Sequence, residues 1–297
     1  MDLLIYHNKQ FYDSDTPLIS PLDLSVIRGH SVCDTFRTFN KLPFCLDSHI
    51  DRFLACIKEI SLTLTYTRAE IKHLVLTMLD KASIHQGELV GKLLLTPGTA
   101  PGTYFSPSFA KSLSPKFFIV LMPLEPFPSS YYSQGVILKT IPYTREFPNI
   151  KTTNYSTALC SLSTNNSDNA SNIHDVLYTN AQGQILEAGT ANFFAINAQG
   201  VLCTAPSQNV LNGITRDLVL KLAKQHRLPI NLSSPNLSDL SSYKAAFITS
   251  CNRSIMPVCQ IDSTLLPPPS SCEELKNLSN LMQEFIIKNN FYNAVDI

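Results

Sequence analysis

The sequence predicts an α+β protein of two domains, and three observations favour this fold class. Strand-like apolar runs bounded by turn residues recur along the 297-residue chain, and stretches with apolar residues at helical spacing lie between them. Three prolines within residues 122–130 interrupt regular structure, because proline has a fixed φ and no N–H group. We therefore expect a small N-terminal α/β domain over residues 1–122, a linker over 123–130 and a larger, β-rich domain over 131–297.

The N-terminal domain is predicted to contain two hairpins followed by two helices. The hairpins cover residues 3–12 and 31–46, and the second turns near Asn40 and Lys41. The first helix is expected to follow a cap at Asp47 and Ser48. Apolar residues recur at helical spacing in both helices: Ile50, Phe53, Leu54 and Ile57 in the first, and Ile71, Leu74, Val75, Met78 and Leu79 in the second.

The C-terminal domain is predicted to contain two successive hairpins and two helices. The tetrapeptide Asn-Ala-Gln-Gly occurs at 180–183 and again at 197–200, each time between β-rich runs, which is typical of hairpin turns. A helical apolar pattern follows Gly213, and residues 272–290 form a second helix with Glu273 and Glu274 in its first turn.

Composition and charge narrow the function classes. With 44% hydrophobic residues the chain can bury a full core, and 23 basic against 23 acidic residues disfavour nucleic acid or an anionic membrane as partner. The first residues lack the pattern of a signal peptide, and the strongest apolar run, 117–124, is too short to span a bilayer, so we expect a cytoplasmic protein with a small-molecule partner. The eight cysteines form no C-x-x-C pair and the seven histidines are dispersed, which favours reduced thiols and no metal site.

Lys151 and Glu187 are the candidate reactive residues. Lys151 lies in the polar and aromatic stretch F-P-N-I-K-T-T-N-Y (147–155), and a lysine that attacks a carbonyl needs a setting poor in other charges to lose its proton. Glu187 ends the first C-terminal hairpin within I-L-E-A-G-T-A-N-F-F (185–194). Taken alone, the two residues are more typical of a surface lysine and of a solvated carboxylate at the end of a strand.

A phosphate site is predicted at L-N-G-I-T-R (211–216). Gly213 directly precedes a helical run and Thr215 lies near its start, where backbone N–H groups and the helix dipole favour an anion. Ser250 and Cys251, after a strand, would add further donors, and the guanidinium of Arg52 would add a charge-assisted contact. Each feature alone is also consistent with an ordinary turn or a surface arginine.

Five short motifs thus occur in a fixed order: H-I-D-R (49–52), I-K-T-T-N-Y (150–155), I-L-E-A-G-T-A-N-F-F (185–194), L-N-G-I-T-R (211–216) and I-T-S-C-N-R-S-I-M-P-V (248–258). Together they supply an amine, a carboxylate, a phosphate cradle and a guanidinium, which are the groups needed to hold and use pyridoxal phosphate. In this order, over about residues 26–262, they resemble the class IV aminotransferases, the fold-type-IV pyridoxal phosphate family. Within the family, three stretches are most similar to the D-amino-acid aminotransferase and aminodeoxychorismate lyase group: V-I-R-G-H-S-V-C-D-T (26–35), H-I-D-R-F-L (49–54) and K-T-T-N-Y (151–155).

The resemblance implies a fold, an assembly and a role for each candidate residue. It implies a small α/β N-terminal domain, a larger C-terminal pseudo-barrel, and a homodimer whose substrate pockets are completed across the interface. Lys151 would bind the cofactor aldehyde and move the proton at the substrate Cα, while Glu187 would pair with the pyridine nitrogen. Tyr155 would hydrogen-bond the ring oxygen and Leu211 would pack on the ring face. The implied phosphate contacts are Arg52, Gly213, Ile214, Thr215, Ser250 and Cys251.

The chain departs from the family pattern where a substrate would bind. Many relatives have an aromatic residue and Glu where this chain has Cys33 and Asp34, and Cys251 is a weaker donor than the Thr or Ser found there. Bacterial D-amino-acid aminotransferases carry an Arg and a His after a G-T-A-P segment, whereas this chain continues Gly102-Thr103-Tyr104. The candidate substrate contacts are Arg28, Cys33, Tyr104 and Arg145.

Three functions agree with these residues. The first is a pyridoxal-phosphate aminotransferase that acts on a small amino acid, a D-amino acid or a branched-chain one, with a 2-oxo acid as acceptor. The second is 4-amino-4-deoxychorismate lyase, which would use the same Lys151 but end in β-elimination to 4-aminobenzoate and pyruvate. The third is a non-catalytic relative that binds the cofactor, although a pure carrier needs neither Lys151 nor Glu187.

Overall fold

The structure, a computed structural model, describes residues 4–13, 16–82, 86–99, 113–163 and 172–292, with side chains to residue 288. The chain forms two compact units: unit 1 is Met1–Glu125 with Ile150–Asn154, and unit 2 is Pro126–Asn149 with Tyr155–Ile297. The division after Glu125 falls within the linker expected at 123–130. The segment 150–154 was expected in the C-terminal domain but belongs to unit 1, because its backbone pairs with a strand there through a bridge between Val32 and Thr152.

Unit 1 is a six-stranded antiparallel sheet with two long helices. The strands are β1 Leu4–His7, β2 Gln10–Tyr12, β3 Val32–Phe39, β4 Leu42–Pro43, β5 Leu89–Thr96 and β6 Lys116–Pro123, in the order β2-β1-β6-β5-β3-β4. The helices are α1 Leu24–Arg28, α2 Leu46–Glu59 and α3 Arg68–Lys81. Both predicted hairpins are confirmed as β1–β2 and β3–β4, and the turn at Asn40 and Lys41 has positive φ at both residues.

The first residues of α2 differ from the prediction. The helix begins at Leu46 rather than after Asp47 and Ser48, and its cap is Cys45 in the left-handed conformation without a side-chain hydrogen bond. The helix begins earlier because the preceding hairpin is short. Phe44 N donates to Arg37 O, Cys45 is the N-cap, and Leu46 is the first helical residue. Helix α3 begins with a capping box, in which the Thr67 hydroxyl and the Glu70 carboxylate each accept from the other residue's backbone N–H.

Unit 2 contains a closed barrel of six strands. Its strands are β7 Val136–Pro142, β8 Ile173–Thr179, β9 Ile185–Ala188, β10 Asn192–Ile196, β11 Leu202–Thr204, β12 Ile230–Asn231, β13 Ala245–Ser250, β14 Ser254–Ile261 and β15 Thr264–Leu265. The order β10-β13-β14-β7-β8-β9 returns to β10, because β9 also pairs with β10. This confirms the expected two-domain α+β fold with a β-rich pseudo-barrel.

The helices of unit 2 are α4 Ser129–Ser133, α5 Ser156–Ser163, α6 Ile214–Gln225 and α7 Glu273–Tyr292. The prediction of two Asn-Ala-Gln-Gly hairpins is confirmed, because the two copies fold in the same way. Asn180 Oδ1 accepts from the N–H groups of Gln182 and Gln184, and Asn197 Oδ1 accepts from those of Gln199 and Val201. Both final glycines have positive φ, which is the reason for glycine in a turn of this kind.

Candidate active site

Glu187 lies in a row of residues that crosses three strands of the barrel. It stands opposite Asn192 on β10, and Asn192 stands opposite Thr249 on β13. The Glu187 carboxylate is only 4% exposed, and its Oε2 accepts from Asn192 Nδ2 at 3.2 Å and from the backbone N–H of Leu211 at 3.1 Å. The strand register therefore places this carboxylate inside unit 2, whereas a strand-end surface residue would be solvated.

Arg145 binds the other oxygen of this carboxylate. Its Nε lies 2.9 Å from Glu187 Oε1, its Nη2 donates to Gly189 O at 2.8 Å, and its guanidinium lies 5.3 Å from the centre of the Tyr178 ring. A cation at this distance favours the ionised carboxylate. The guanidinium is engaged by Glu187 and Gly189, which favours a role at Glu187 over the predicted substrate contact.

Asn192 connects Glu187 to the start of α6. Its Nδ2 also donates to Leu211 O at 2.8 Å, and its Oδ1 would lie 2.0 Å from a Cβ added at Gly213. The φ of Gly213 is −72°, which any residue can adopt, so glycine is needed there for space and not for backbone conformation. Close packing against Asn192 thus fixes the first turn of the helix.

The first turn of α6 brings three predicted residues together. Gly213 is the N-cap and makes no side-chain capping bond, Ile214 is the first helical residue, and Thr215 is the second and is buried. Backbone N–H groups at such a start have no partner within the helix, and together with the dipole they form a site for an anion. The start of α6 therefore has the local geometry of an anion site, and its role toward phosphate stays a prediction.

The turn between β13 and β14 carries the other predicted phosphate donors of unit 2. Ser250 ends β13 and stands opposite Ser254 on β14, and Cys251 follows it in the turn. Ser250 Oγ accepts from Arg253 Nη1 at 3.2 Å, while the Cys251 thiol donates to Asn252 Oδ1 at 3.3 Å. Helix α6 packs against β13, so both groups of donors lie on neighbouring elements.

Tyr155, the predicted ring contact, immediately precedes α5 and is half-buried. Burial lowers the pKa of Arg253, and Asp175, Cys251 and Tyr155 act on it in the opposite direction. All residues predicted in the second domain except Lys151 thus belong to the same unit.

Sequence reasoning missed four residues of this arrangement: Asn192, Thr249, Arg253 and, in unit 1, Asp34 as a functional residue. Thr249 is 1% exposed, and its hydroxyl has no hydrogen-bond partner among the residues that the structure describes. A buried hydroxyl normally has a partner, so this one is suited to a bound group. Three of the four lie within the motifs at 185–194 and 248–258, which was the signal available in the sequence.

Lys151 is held by its backbone in unit 1. Cys33 N donates to Lys151 O at 2.9 Å, Lys151 N donates to Cys56 Sγ at 3.4 Å, and Ile150 packs on the core of the unit. Thr153 is hydrogen-bonded to Ser31. Hydrogen bonds thus hold the backbone at Lys151 and the side chain of Thr153, and the lysine itself is half-buried.

Arg52 is held by a buried carboxylate that it shares with His49. Period-two alternation in β3 places Asp34 on the core face with Val32 and Phe36, where a charge requires partners. Arg52 Nε donates to Asp34 Oδ2 at 2.8 Å and its Nη2 donates to Oδ1 at 2.9 Å, while His49 Nδ1 donates to Oδ1 at 2.7 Å. His49 and Arg52 are three residues apart on α2, so both reach the same carboxylate.

The charges of this group agree with its geometry. Burial raises the pKa of Asp34, but Arg52 and His49 together outweigh burial and hold that pKa well below its usual value. Burial lowers the pKa of His49 and, with Arg52 and Lys151, outweighs the raising effect of Asp34, so His49 is neutral and donates through Nδ1. Arg52 is thus fixed by an ionised carboxylate, and we refer to Asp34, His49 and Arg52 as the Asp34 group.

The remaining candidate substrate contacts are Cys33, Arg28 and Tyr104. Cys33 is half-buried on the face of β3 opposite to Asp34, and burial raises the pKa of its thiol while Lys151 lowers it. Arg28 ends α1 as an exposed side chain whose Nη1 donates to Ile27 O at 3.2 Å. Tyr104 lies outside the described residues. Among the described residues, no helix could cross a bilayer and no group of three potential ligands is arranged to hold a metal ion.

Comparison with known proteins identifies the family. Residues 31–261 match the family model described as amino-transferase class IV, and this range includes Lys151, Glu187 and both groups of phosphate donors. The chain belongs to the class IV aminotransferases. Its identification as an enzyme of this family, predicted from the five motifs, is therefore confirmed.

Curated class IV relatives cover most of the chain at low identity. A putative branched-chain-amino-acid aminotransferase of Methanocaldococcus jannaschii is 26% identical over 287 residues, 96% of each chain. A D-alanine aminotransferase of Bacillus licheniformis is 26% identical over 87% of this chain and 88% of its own length. An aminodeoxychorismate lyase of Bacillus subtilis is 22% identical over 87% of both chains. Relatives with different activities thus match to a similar degree.

Solved class IV structures share the fold. The branched-chain aminotransferase of Thermoproteus uzoniensis, crystallised with norvaline, has a TM-score of 0.79 at 21% identity and covers 95% of this chain and 96% of its own. An aminotransferase of Brucella abortus bound to the cofactor PLP has a TM-score of 0.81 at 20% identity and covers 96% of this chain and 99% of its own. The family match and these structures confirm the predicted cofactor class.

The residues present fit pyridoxal phosphate. A buried carboxylate beside a guanidinium suits the ring nitrogen, the uncapped start of α6 suits the phosphate, and the buried hydroxyl of Thr249 is available for a hydrogen bond. Gly213 keeps the start of α6 close to Asn192, so that a larger residue would displace the first turn of this helix. The chemistry of these donors is thus compatible with the cofactor, and their individual roles stay predictions.

Proposed function

We propose that the chain is a pyridoxal-phosphate aminotransferase that acts on a small amino acid, a D-amino acid or a branched-chain one, with a 2-oxo acid as acceptor. The observation that carries the proposal is the setting of Glu187, a buried carboxylate with Arg145 on one oxygen and Asn192 and Leu211 on the other. Such a carboxylate is needed where a ring nitrogen must stay protonated, which a protein that only stores the cofactor does not require.

The residues of the chain would perform distinct tasks. When bound, pyridoxal phosphate supplies an aldehyde that accepts amino groups and a ring that withdraws electrons. Glu187 would hold a proton on the ring nitrogen, and Arg145 would keep Glu187 ionised. Lys151 would remove the proton from the substrate Cα and return one to the cofactor C4′, which is general acid–base catalysis by one amine.

We assign binding of the cofactor phosphate and ring to residues of unit 2 and to Arg52 of unit 1. The N–H groups of Ile214 and Thr215, with the hydroxyl of Ser250 and the Cys251 turn, would bind the phosphate within unit 2. In unit 1, Arg52 would contribute a charge-assisted contact from the orientation that Asp34 gives it. Tyr155 and Leu211 keep the ring contacts predicted from the sequence, and the homodimer and the cytoplasmic location remain proposals of the same kind.

The first experiment measures amino transfer. Purified protein with pyridoxal phosphate is incubated with 2-oxoglutarate and, one at a time, D-alanine, other D-amino acids and the branched-chain L-amino acids, and glutamate formation is recorded. We expect transfer from at least one donor. If no donor of either enantiomer supports glutamate formation although the cofactor is bound, the proposal is wrong.

Glu187→Gln should lower kcat by roughly 10²- to 10³-fold, because the neutral amide no longer stabilises the protonated ring nitrogen, an electrostatic contribution of that usual size. Cofactor affinity should change much less. The control is Glu125→Gln, the same substitution at an exposed carboxylate, which should leave kcat unchanged. Equal effects of the two substitutions would contradict the role of Glu187.

Aminodeoxychorismate lyase is a second candidate, and the 22% identical lyase of Bacillus subtilis supports it. A lyase would use Lys151 and Glu187 in the same way but would release pyruvate from aminodeoxychorismate without an acceptor. Pyruvate formation from that substrate, measured with and without a 2-oxo acid, separates the two activities. A relative that binds the cofactor without catalysis would support neither reaction.

A further inference from the structure

Arg253 is a buried cation beside the predicted phosphate donors, and neither the motifs nor the family match assigns it a role. It lies in the turn between β13 and β14, two residues after Cys251, and its side chain is only 13% exposed. Its backbone N–H donates to Ser250 O at 3.2 Å, which ties the residue to the end of β13. The guanidinium is thus held within the turn and not extended into solvent.

The contacts of the guanidinium are mostly with neutral groups. Nη1 donates to Ser250 Oγ at 3.2 Å, Nε donates to His174 Nε2 at 3.0 Å, and the group lies 5.2 Å from the centre of the Phe127 ring. Burial, with the charge of Arg253, lowers the pKa of His174 to about 4, so this histidine is a neutral acceptor at neutral pH. Neither contact neutralises the charge of Arg253.

The nearest carboxylate of the described residues is a poor partner for this cation. Asp175 Oδ2 lies 3.9 Å from Arg253 Nη2, beyond hydrogen-bonding distance. That oxygen accepts from Thr190 N at 3.1 Å and from Thr190 Oγ1 at 2.5 Å, and Oδ1 accepts from Val176 N at 2.8 Å. Burial also raises the pKa of Asp175. A buried guanidinium with such weak compensation is suited to a ligand that brings negative charge.

We infer that Arg253 is a further member of the phosphate site, where it orients the Ser250 hydroxyl and supplies positive charge. Because Ser250 Oγ accepts from Arg253, its own hydrogen is directed away from the guanidinium and is available to a phosphate oxygen. The buried charge adds to the attraction of a dianion. Arg253 is therefore a positioning residue, and the inference rests on the proposed function because it requires pyridoxal phosphate as the ligand.

The test compares two ligands that differ only in the phosphate. Apoprotein is titrated with pyridoxal phosphate and with pyridoxal, and binding is followed by absorbance and tyrosine fluorescence, without turnover. Arg253→Met should weaken pyridoxal phosphate binding by roughly 10- to 100-fold, the usual effect of losing a hydrogen bond to a charged group, and should leave pyridoxal binding unchanged. Arg253→Lys, which keeps the charge, should recover part of the loss.

The control is Arg227→Met, the same substitution at an exposed arginine of unit 2, which should change neither affinity. If Arg253→Met weakens the binding of both ligands equally, Arg253 is merely structural and the inference is overturned. It is also overturned if the affinity for pyridoxal phosphate is unchanged, whether or not the KM for the amino donor rises. If Arg253→Met does not fold, Arg253→Lys carries the test, with weaker pyridoxal phosphate binding and unchanged pyridoxal binding expected. Wild-type protein that binds pyridoxal phosphate but transfers no amino group would refute the proposed function and leave this inference standing.

Discussion

At the scale of single residues, the candidate site is built from charges that are buried in pairs. Glu187 is paired with Arg145 in unit 2, and Asp34 is paired with Arg52 and His49 in unit 1. A buried charge is tolerated only with a partner, so each pair fixes the position of a group with a proposed role in catalysis or binding. Asp34 was noted in the sequence only as a departure from the family pattern, because no local pattern shows that α2 carries its partners.

The Asp34 group yields a stability prediction. Asp34→Asn removes the carboxylate charge that pairs with the largely buried Arg52 guanidinium, so the free energy of unfolding should fall by about 3 to 5 kcal/mol. Urea denaturation of both proteins at neutral pH measures the difference. Asp51→Asn is the matched control, because Asp51 also binds an arginine, Arg68, but on the surface, and it should have little effect. Similar losses for the two variants would contradict the account of the Asp34 group.

His174 yields a pH prediction. Its pKa is lowered from 6.5 to about 4 in the folded protein, so the unfolded state binds a proton between these values while the folded state does not. The stability contribution of neutral His174 is therefore present above about pH 6.5 and is lost as the pH falls toward 4. Because this side chain is partly exposed and solvent screens its charge, we expect the free energy of unfolding to fall by about 1 to 2 kcal/mol over this pH range. Urea midpoints of wild type and His174→Gln across this range should have different slopes, and parallel curves would refute the prediction.

At the scale of secondary-structure elements, the sequence predicted most of the local structure and little of the long-range pairing. The repeated Asn-Ala-Gln-Gly turns predict their hairpins because an Asn side chain and a glycine fix a turn locally. The start of α2 was misplaced because a left-handed Cys45 replaces the expected polar cap. The pairing of β9 with β10 that closes the barrel depends on the whole sheet, so the contact between Glu187 and Asn192 could not be read from the motif.

The start of α6 yields a prediction at this scale. Gly213→Ala adds a Cβ that would lie 2.0 Å from Asn192 Oδ1, so the first turn of the helix or the Asn192 side chain must shift. Because that turn presents the N–H groups for the phosphate, we expect pyridoxal phosphate affinity to fall by roughly tenfold or more, the effect of a hydrogen bond to a charged group. Titration of the apoprotein measures it. Gly29→Ala in unit 1 is the control, because the added Cβ would meet no atom within 4 Å there and the left-handed φ of 64° should cost stability only; an equal loss of affinity would contradict the reasoning.

At the scale of the whole molecule, the family and the fold followed from the order of five motifs, whereas the substrate did not. The motifs are predicted to bind or activate the cofactor, which aminotransferases and lyases share, so they carry no information about the amino acid. The branched-chain, D-alanine and lyase relatives match this chain at 22% to 26% identity, which does not separate them. The predicted substrate contacts illustrate the same limit: Arg145 pairs with Glu187, and Arg28 is an exposed residue at the end of α1.

The most direct test of the central claim identifies the lysine that binds the cofactor. The protein is incubated with pyridoxal phosphate, the lysine–cofactor bond is reduced with borohydride, and the modified peptide is identified by mass spectrometry, with Lys151→Ala treated in parallel. We predict a single modified lysine, Lys151, and no specific modification in the variant. Modification of a different lysine in the wild type, or equal labelling of the variant, would contradict the account.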